Sequence, residues 1–177
     1  LYYTVFDATN PQEKPLGLLP LKELSAAMRL IRSRCQDWRI EPNQVSVCGF
    51  SAGGHLAASL GVWWNHDTLV NEDMPQGANR PDAMVLCYPV ISTGPFAHQE
   101  SIRHLAGKDG DRGFYSLENH VSLHTPPTFL WHTVDDASVP VENALLFAAA
   151  LQKHRVPFEC HLYGSGTHGL SLCEEEG

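Results

Sequence analysis

Gly49-Phe50-Ser51-Ala52-Gly53 stands between a short β-branched run, Gln44-Val45-Ser46-Val47-Cys48, and a small-residue segment running on to about Trp64. The run reads as a strand and the segment as a helix, so the pentapeptide must turn the chain from one to the other within a few residues. A turn that tight forces Ser51 into a strained backbone conformation. Glycine is expected at 49 and 53 because side chains there would collide with neighbouring backbone. The geometry puts the Ser51 hydroxyl at the tip of the turn. It also aims the Ala52 N–H at the oxygen of a bound acyl group, where the helix N-terminus favours developing negative charge.

Strands and helices alternate along the rest of the chain. Leu1 to Phe6 is rich in β-formers, and a helix follows from about Pro20 to Trp38, with Leu21, Leu24, Met28, Ile31, Cys35 and Trp38 at three- and four-residue steps. Ala83 to Tyr88 is a continuous apolar run, expected to be a strand buried on both faces. Pro89 to Pro127 is irregular, with room for short helices near Ser101–Ala106 and Ser116–Val121. Thr128 to Thr133 reads as a strand, Pro140 to Lys153 as a helix with proline at its start, and Phe158 to Tyr163 as a last strand. The alternation predicts an α/β fold with a mainly parallel sheet and flanking helices. Such sheets place their ligands at the carboxyl ends of the strands, so chemistry is sought in the loop after each strand.

A serine hydroxyl is a poor nucleophile at neutral pH and needs a base, which in turn needs an orienting acid. After the Thr128–Thr133 strand come Asp135 and Asp136, which compete for the acid's role. Asp136 is preferred because Asp136-Ala137-Ser138-Val139-Pro140 fixes its distance from the next helix; Asp135 is expected to cap the turn or face water. After the last strand, Gly164-Ser165-Gly166-Thr167-His168-Gly169 offers a flexible loop with a histidine to serve as the base. A metal site would need several of the chain's ten histidines to converge with carboxylates, and they are scattered with no H-x-H pair. No metal and no other cofactor is therefore expected. His55 lies on the helix beside Ser51 and His132 inside a strand, and both read as surface or core residues.

Composition narrows the rest. With 177 residues, 43% of them hydrophobic, the chain reads as one domain, residues 1–177. A net charge of −8 argues against a nucleic-acid partner. No apolar run approaches the roughly 20 residues that span a bilayer, so a membrane protein is not expected. The five cysteines, Cys35, Cys48, Cys87, Cys160 and Cys173, are odd in number and mostly sit in apolar runs. They read as reduced core residues, which points to a cytoplasmic compartment. The chain opens directly in strand-like sequence with no initiator Met or signal peptide, as a trimmed N-terminus would.

The order Ser51, Asp136, His168, each after a strand, resembles the α/β-hydrolase superfamily. More narrowly, the chain resembles its acetyl esterase and acetylxylan-esterase-like branch. The matching stretches are Pro20–Leu24, Val47–Ala58, Cys87–Ile91, Thr125–Phe129, the Asp136 junction and Gly166–Leu170. The resemblance implies that Ser51 is the nucleophile, Asp136 the orienting acid, His168 the base and the Ala52 N–H one oxyanion donor. It implies an esterase that removes short, acetyl-like acyl groups from small-molecule or saccharide esters through an acyl-enzyme.

One departure lies at the front. The family carries three further strands before the one read at Leu1–Phe6, and the third ends in a glycine-rich loop that donates the other oxyanion N–H. Gly17 is the only glycine before Gly49 here. The chain is thus expected to hold the C-terminal two-thirds of the usual fold. Either the absent segment belongs to the same protein, or Leu1–Phe6 pairs directly with Gln44–Cys48 and one donor is lost. Two other classes stay open: an impaired fragment or scaffold, and a peptidase or dienelactone-type hydrolase.

Overall fold

The sheet is built from four strands that all run the same way: β1 (Val47–Phe50), β2 (Met84–Cys87), β3 (Thr128–Thr133) and β4 (Phe158–Tyr163), in the spatial order β1-β2-β3-β4. A computed structural model describes residues 4–10, 12–70 and 75–171. Helices α1 (Leu19–Ser33), α2 (Cys35–Trp38), α3 (Ala52–Trp63), α4 (Gln99–Ala106) and α5 (Glu142–Lys153) fill the connections. The expected α/β class with a parallel sheet is what the chain forms.

Register decides which side chains share a face. Val47 lies beside Met84, and Gly49 beside Leu86; Met84 and Leu86 in turn lie beside Thr128 and Leu130. Val47, Met84, Leu86 and Leu130 join Ala57, Ala58 and Val62 of α3 and Ala144, Phe147 and Leu151 of α5 in one buried cluster. Both helices therefore press on the same face. α3 comes close because its residues are small: a Cβ on Gly61 would stand 2.1 Å from Met84 Sδ. Behind it α1 packs through Leu21 and Met28 onto Leu60 and Trp64. On the opposite face Cys48 is exposed and Val85 is half-buried, so β2 is not covered equally on both sides.

The ladder runs past the strand ends. Ser51 N–H donates to Cys87 O, Tyr88 N–H to Trp131 O and Val134 N–H to Tyr163 O, which pins the starts of three loops along one rim. That rim carries the site.

Several expectations need correction. Residues 1–3 of the first expected strand lie outside the described residues, and Thr4–Phe6 forms no strand. Instead Thr4 gives both its N–H and its hydroxyl to the Glu23 carboxylate on α1, at 2.8 Å each, and Phe6 stacks on His104 of α4. A side chain has taken the place of a ladder. Among the described residues β1 pairs with β2 alone, and Thr4–Phe6 makes no ladder with it. The helix expected over 20–38 divides at Arg34, whose ψ of 8° leaves the helical range, and Trp38 ends half-exposed. The β1 strand begins later than expected, at Val47, and absorbs Gly49 and Phe50. Of the cysteines, Cys35 and Cys87 are buried and Cys160 is partly so, but Cys48 is exposed; Cys173 lies outside the described residues. No helix among the described residues is long and apolar enough to cross a membrane.

Candidate active site

Ser51 sits between β1 and α3 with φ 52° and ψ −119°, a left-handed conformation costly for any residue with a Cβ. The strain is held from both sides. Its N–H is bound to Cys87 O, and its carbonyl accepts from the N–H groups of Val90 and His55. Gly49 is needed as expected, since a Cβ there would lie 2.1 Å from Gly53 O. Gly53 is not: a Cβ on it meets nothing within 4 Å among the described residues. The crowded neighbour is Gly54, whose Cβ would fall 2.7 Å from Pro89 Cβ. Ala52 is the first residue of α3, so its N–H is one of the first-turn donors that no helical carbonyl reaches.

His168 reaches this serine from the loop after β4. Its Nε2 is 2.8 Å from Ser51 Oγ, and its Nδ1 is 2.7 Å from Asp136 Oδ2. With Nδ1–H donating to the carboxylate, Nε2 is left to accept from the Ser51 hydroxyl. Two glycines shape the loop. Gly166 (φ 153°) has no room for a Cβ, which would meet Thr133 Cγ2 at 2.7 Å, and Gly169 turns at φ 88°. Gly166 is clamped besides: its N–H donates to Asp135 Oδ1 and its carbonyl accepts from the Thr133 hydroxyl, both at 2.8 Å. Asp135 thus ties down the histidine loop and remains exposed, while the preferred aspartate, Asp136, faces the imidazole.

Asp136 accepts three hydrogen bonds and has a fourth nitrogen close by. Oδ1 takes the N–H groups of Ser138 and Val139 at 2.9 Å each. Oδ2 takes His168 Nδ1 and lies 3.3 Å from His132 Nε2. The side chain is fully buried. Burial works against its ionisation, yet the hydrogen bonds from His168, Val139 and Ser138 together outweigh it and hold the carboxyl below the usual range.

Three contacts escaped sequence reading. Tyr88 sets its ring edge-on to the His168 imidazole, with centroids 5.0 Å apart, and its hydroxyl accepts the Ser171 N–H, so it braces the histidine loop twice. Asp135 tethers that loop through Gly166. His132, which reads as core, is buried but lies beside Asp136. Tyr88 is buried against Trp131 and Phe50, and Trp63 stacks on Phe114, so these rings are engaged in packing. An apolar cavity of about 260 Å³ lies instead beside the first turn of α3, lined by Ala52, Gly53, Leu56, Val90, Ile102 and Tyr115 among others. His120 and His124 stand four residues apart, but the His120 ring is bound to Gly113 O. No group of histidine, cysteine and acidic residues able to hold a metal occurs among the described residues.

A strained serine after a parallel strand, with an aspartate and a histidine on later strand-end loops, defines the fold as that of the α/β hydrolases. Residues 19–151 match the BD-FAE family, and the chain belongs to that family. It is 39% identical over 165 residues to an endo-1,4-beta-xylanase B of Butyrivibrio fibrisolvens, covering 92% of this chain and 26% of that protein. It is 31% identical over 162 residues to an acetylxylan esterase of Xylanibacter ruminicola, covering 87% of this chain and 32% of that one. Among solved structures it superposes with TM-score 0.81 and 47% identity on an acetyl ester-xyloside bifunctional hydrolase of Caldicellulosiruptor lactoaceticus, over 89% of this chain and 60% of that one. The chain therefore spans about a quarter to a third of the curated relatives it matches.

Proposed function

We propose that this chain forms the catalytic part of a serine esterase that hydrolyses short-chain, acetyl-like carboxylic esters, including those on acylated saccharides. The observation that carries the reading is the unbroken relay from Ser51 Oγ through His168 to Asp136, at 2.8 and 2.7 Å. The names of the relatives support the substrate class, since one is an acetylxylan esterase and another an acetyl ester-xyloside bifunctional hydrolase.

The chemistry is acyl transfer in two steps. His168 Nε2 takes the Ser51 proton as Oγ attacks the ester carbonyl, and the developing oxyanion points at the Ala52 N–H. Asp136 holds the resulting imidazolium with its Nδ1–H fixed. The imidazolium then protonates the departing alcohol, leaving an acyl-Ser51. Water, deprotonated by the same nitrogen, attacks that ester, and the acid leaves as the Ser51 proton returns from His168.

Short acyl groups fit the way Pro89–Pro127 is used. Ile91, Ile102, Leu117 and Val121 from this segment are buried, so it forms wall and core and leaves little chain for a cover over Ser51. Profiling with nitrophenyl esters of increasing acyl length tests the substrate reading. Acetate is expected to be preferred over octanoate, and acetylated xylo-oligosaccharides to be deacetylated while the matching anilide is not. Preference for octanoate, or comparable rates on ester and anilide, would overturn it.

A further inference from the structure

We infer that His132 is a positioning residue for the proposed triad: its Nε2–H is a second histidine donor to the same Asp136 oxygen that receives His168. The inference rests on the proposed triad and adds a member that acts through the acid without touching substrate.

Geometry assigns the tautomer. His132 Nε2 is 2.9 Å from Val139 O, which can only accept, so the proton is on Nε2. The same nitrogen lies 3.3 Å from Asp136 Oδ2, near enough for its N–H to be shared between the carbonyl and the carboxylate. His132 is completely buried, and its Nδ1 finds no hydrogen-bond partner among the described residues. A buried nitrogen without a partner is costly, and a leucine of similar volume would carry no such penalty. The polar ring at this position is therefore explained by its other nitrogen.

Strand parity delivers it there. His132 shares the buried face with Leu130, beneath the start of α5, while the chain turns back after Thr133 so that Asp136 meets the ring four residues earlier. The titratable groups facing His132 are Asp136 from its own loop and His168 from the loop after β4. Burial pushes its pKa down and outweighs the Val139 carbonyl and Asp136, which raise it, while His168 adds a lesser push down, so the ring is a neutral donor.

The role follows from charge. Oδ1 is fixed by two backbone N–H groups, but Oδ2 would otherwise be held by His168 alone, and would swing with it as Nε2 changes partners. A second donor keeps that oxygen still. It also draws off part of the negative charge that faces the His168 imidazolium formed during turnover.

The test compares H132L, H132Q and each of them combined with D136N, using nitrophenyl acetate across pH. The glutamine amide places an N–H near the position of Nε2. H132L is expected to lower kcat about tenfold with KM unchanged, and to move the acidic limb of kcat/KM up by about half a pH unit. H132Q is expected to restore most of both. In the D136N background, H132L is expected to cost nothing further, because the residue acts through the carboxylate. A wild-type limb and wild-type kcat in H132L, or equal losses with and without Asp136, would overturn the inference alone. Wild-type turnover in S51A would overturn the triad reading and this inference with it. If H132L does not fold, the H132Q limb decides: a glutamine variant that folds but shows an H168A-like loss contradicts the donor role.

Discussion

Replacing Asp136 by asparagine keeps shape and size while exchanging one acceptor for a donor, and the site shows what that does. Three N–H groups bond this carboxylate, Ser138 and Val139 on Oδ1 and His168 on Oδ2, and His132 Nε2 stands 3.3 Å from Oδ2. An amide offers one oxygen. It must face the two backbone donors, which cannot move without unwinding the turn before α5, so the NH₂ faces His168. Nδ1–H opposite N–H is repulsive, and His168 relieves it by carrying its proton on Nε2. That nitrogen is then a donor and no longer accepts from Ser51.

D136N is expected to lower kcat about 10⁴-fold, or about 5 kcal/mol of barrier, as the loss of tautomer control does in serine hydrolases generally. The His132 N–H loses a carboxylate partner too, so a stability loss of about 1–3 kcal/mol accompanies it. Turnover of nitrophenyl acetate and thermal unfolding measure the two separately. D135N is the control: the amide oxygen still accepts the Gly166 N–H, so turnover within about threefold of wild type is expected. D136N within about tenfold of wild type, or D135N as damaged as D136N, would refute the assignment of the acid.

G49A is expected to cost about 3 kcal/mol or more, because its Cβ runs into the Gly53–Gly54 peptide group, whereas G53A is expected to be neutral or up to about 1 kcal/mol stabilising as a helix substitution into open space; equal unfolding temperatures for the two would contradict the packing described. Acid is expected to destabilise the fold below about pH 6.5, the ordinary histidine value. Burial depresses the pKa of both His55 and His132, so in that window the unfolded chain binds protons that the folded chain refuses. Stability then falls with pH by up to about 1.4 kcal/mol per unit for each histidine. Asp136, held below its ordinary range, adds its own loss only at lower pH, where the unfolded carboxyl begins to protonate. A thermal midpoint flat between about pH 7.5 and 5.5 would refute this.

Legibility in the sequence followed locality. β3 and β4 lie where β-forming runs flanked by proline and turn residues put them, because both composition and pairing favour the same residues. β1 slipped towards its C-terminus because Gly49 and Phe50, one of them a poor strand former, gain ladder bonds from Leu86 and Cys87, while Gln44 has no such partner. Thr4–Phe6 reads as strand by composition, but a carboxylate on α1 takes the Thr4 N–H. The serine turn, the preferred aspartate and the histidine loop were all legible, since each carries its own local signature after a strand, and the structure brings the three side chains together. His132 was not. Inside an apolar run it resembles any core residue, and its contact depends on a turn that folds Asp136 back over the strand end. Its spacing, four residues before Asp136 and on the buried parity of β3, was the one available signal.

The central claim is that His168 activates Ser51. Treating the protein with a fluorophosphonate and locating the adduct by mass spectrometry tests it without reference to any natural substrate. A single adduct on Ser51, formed in the wild type and slowed at least about a hundredfold in H168A, is expected; labelling of another residue, or of Ser51 at the same rate without the imidazole, would contradict it.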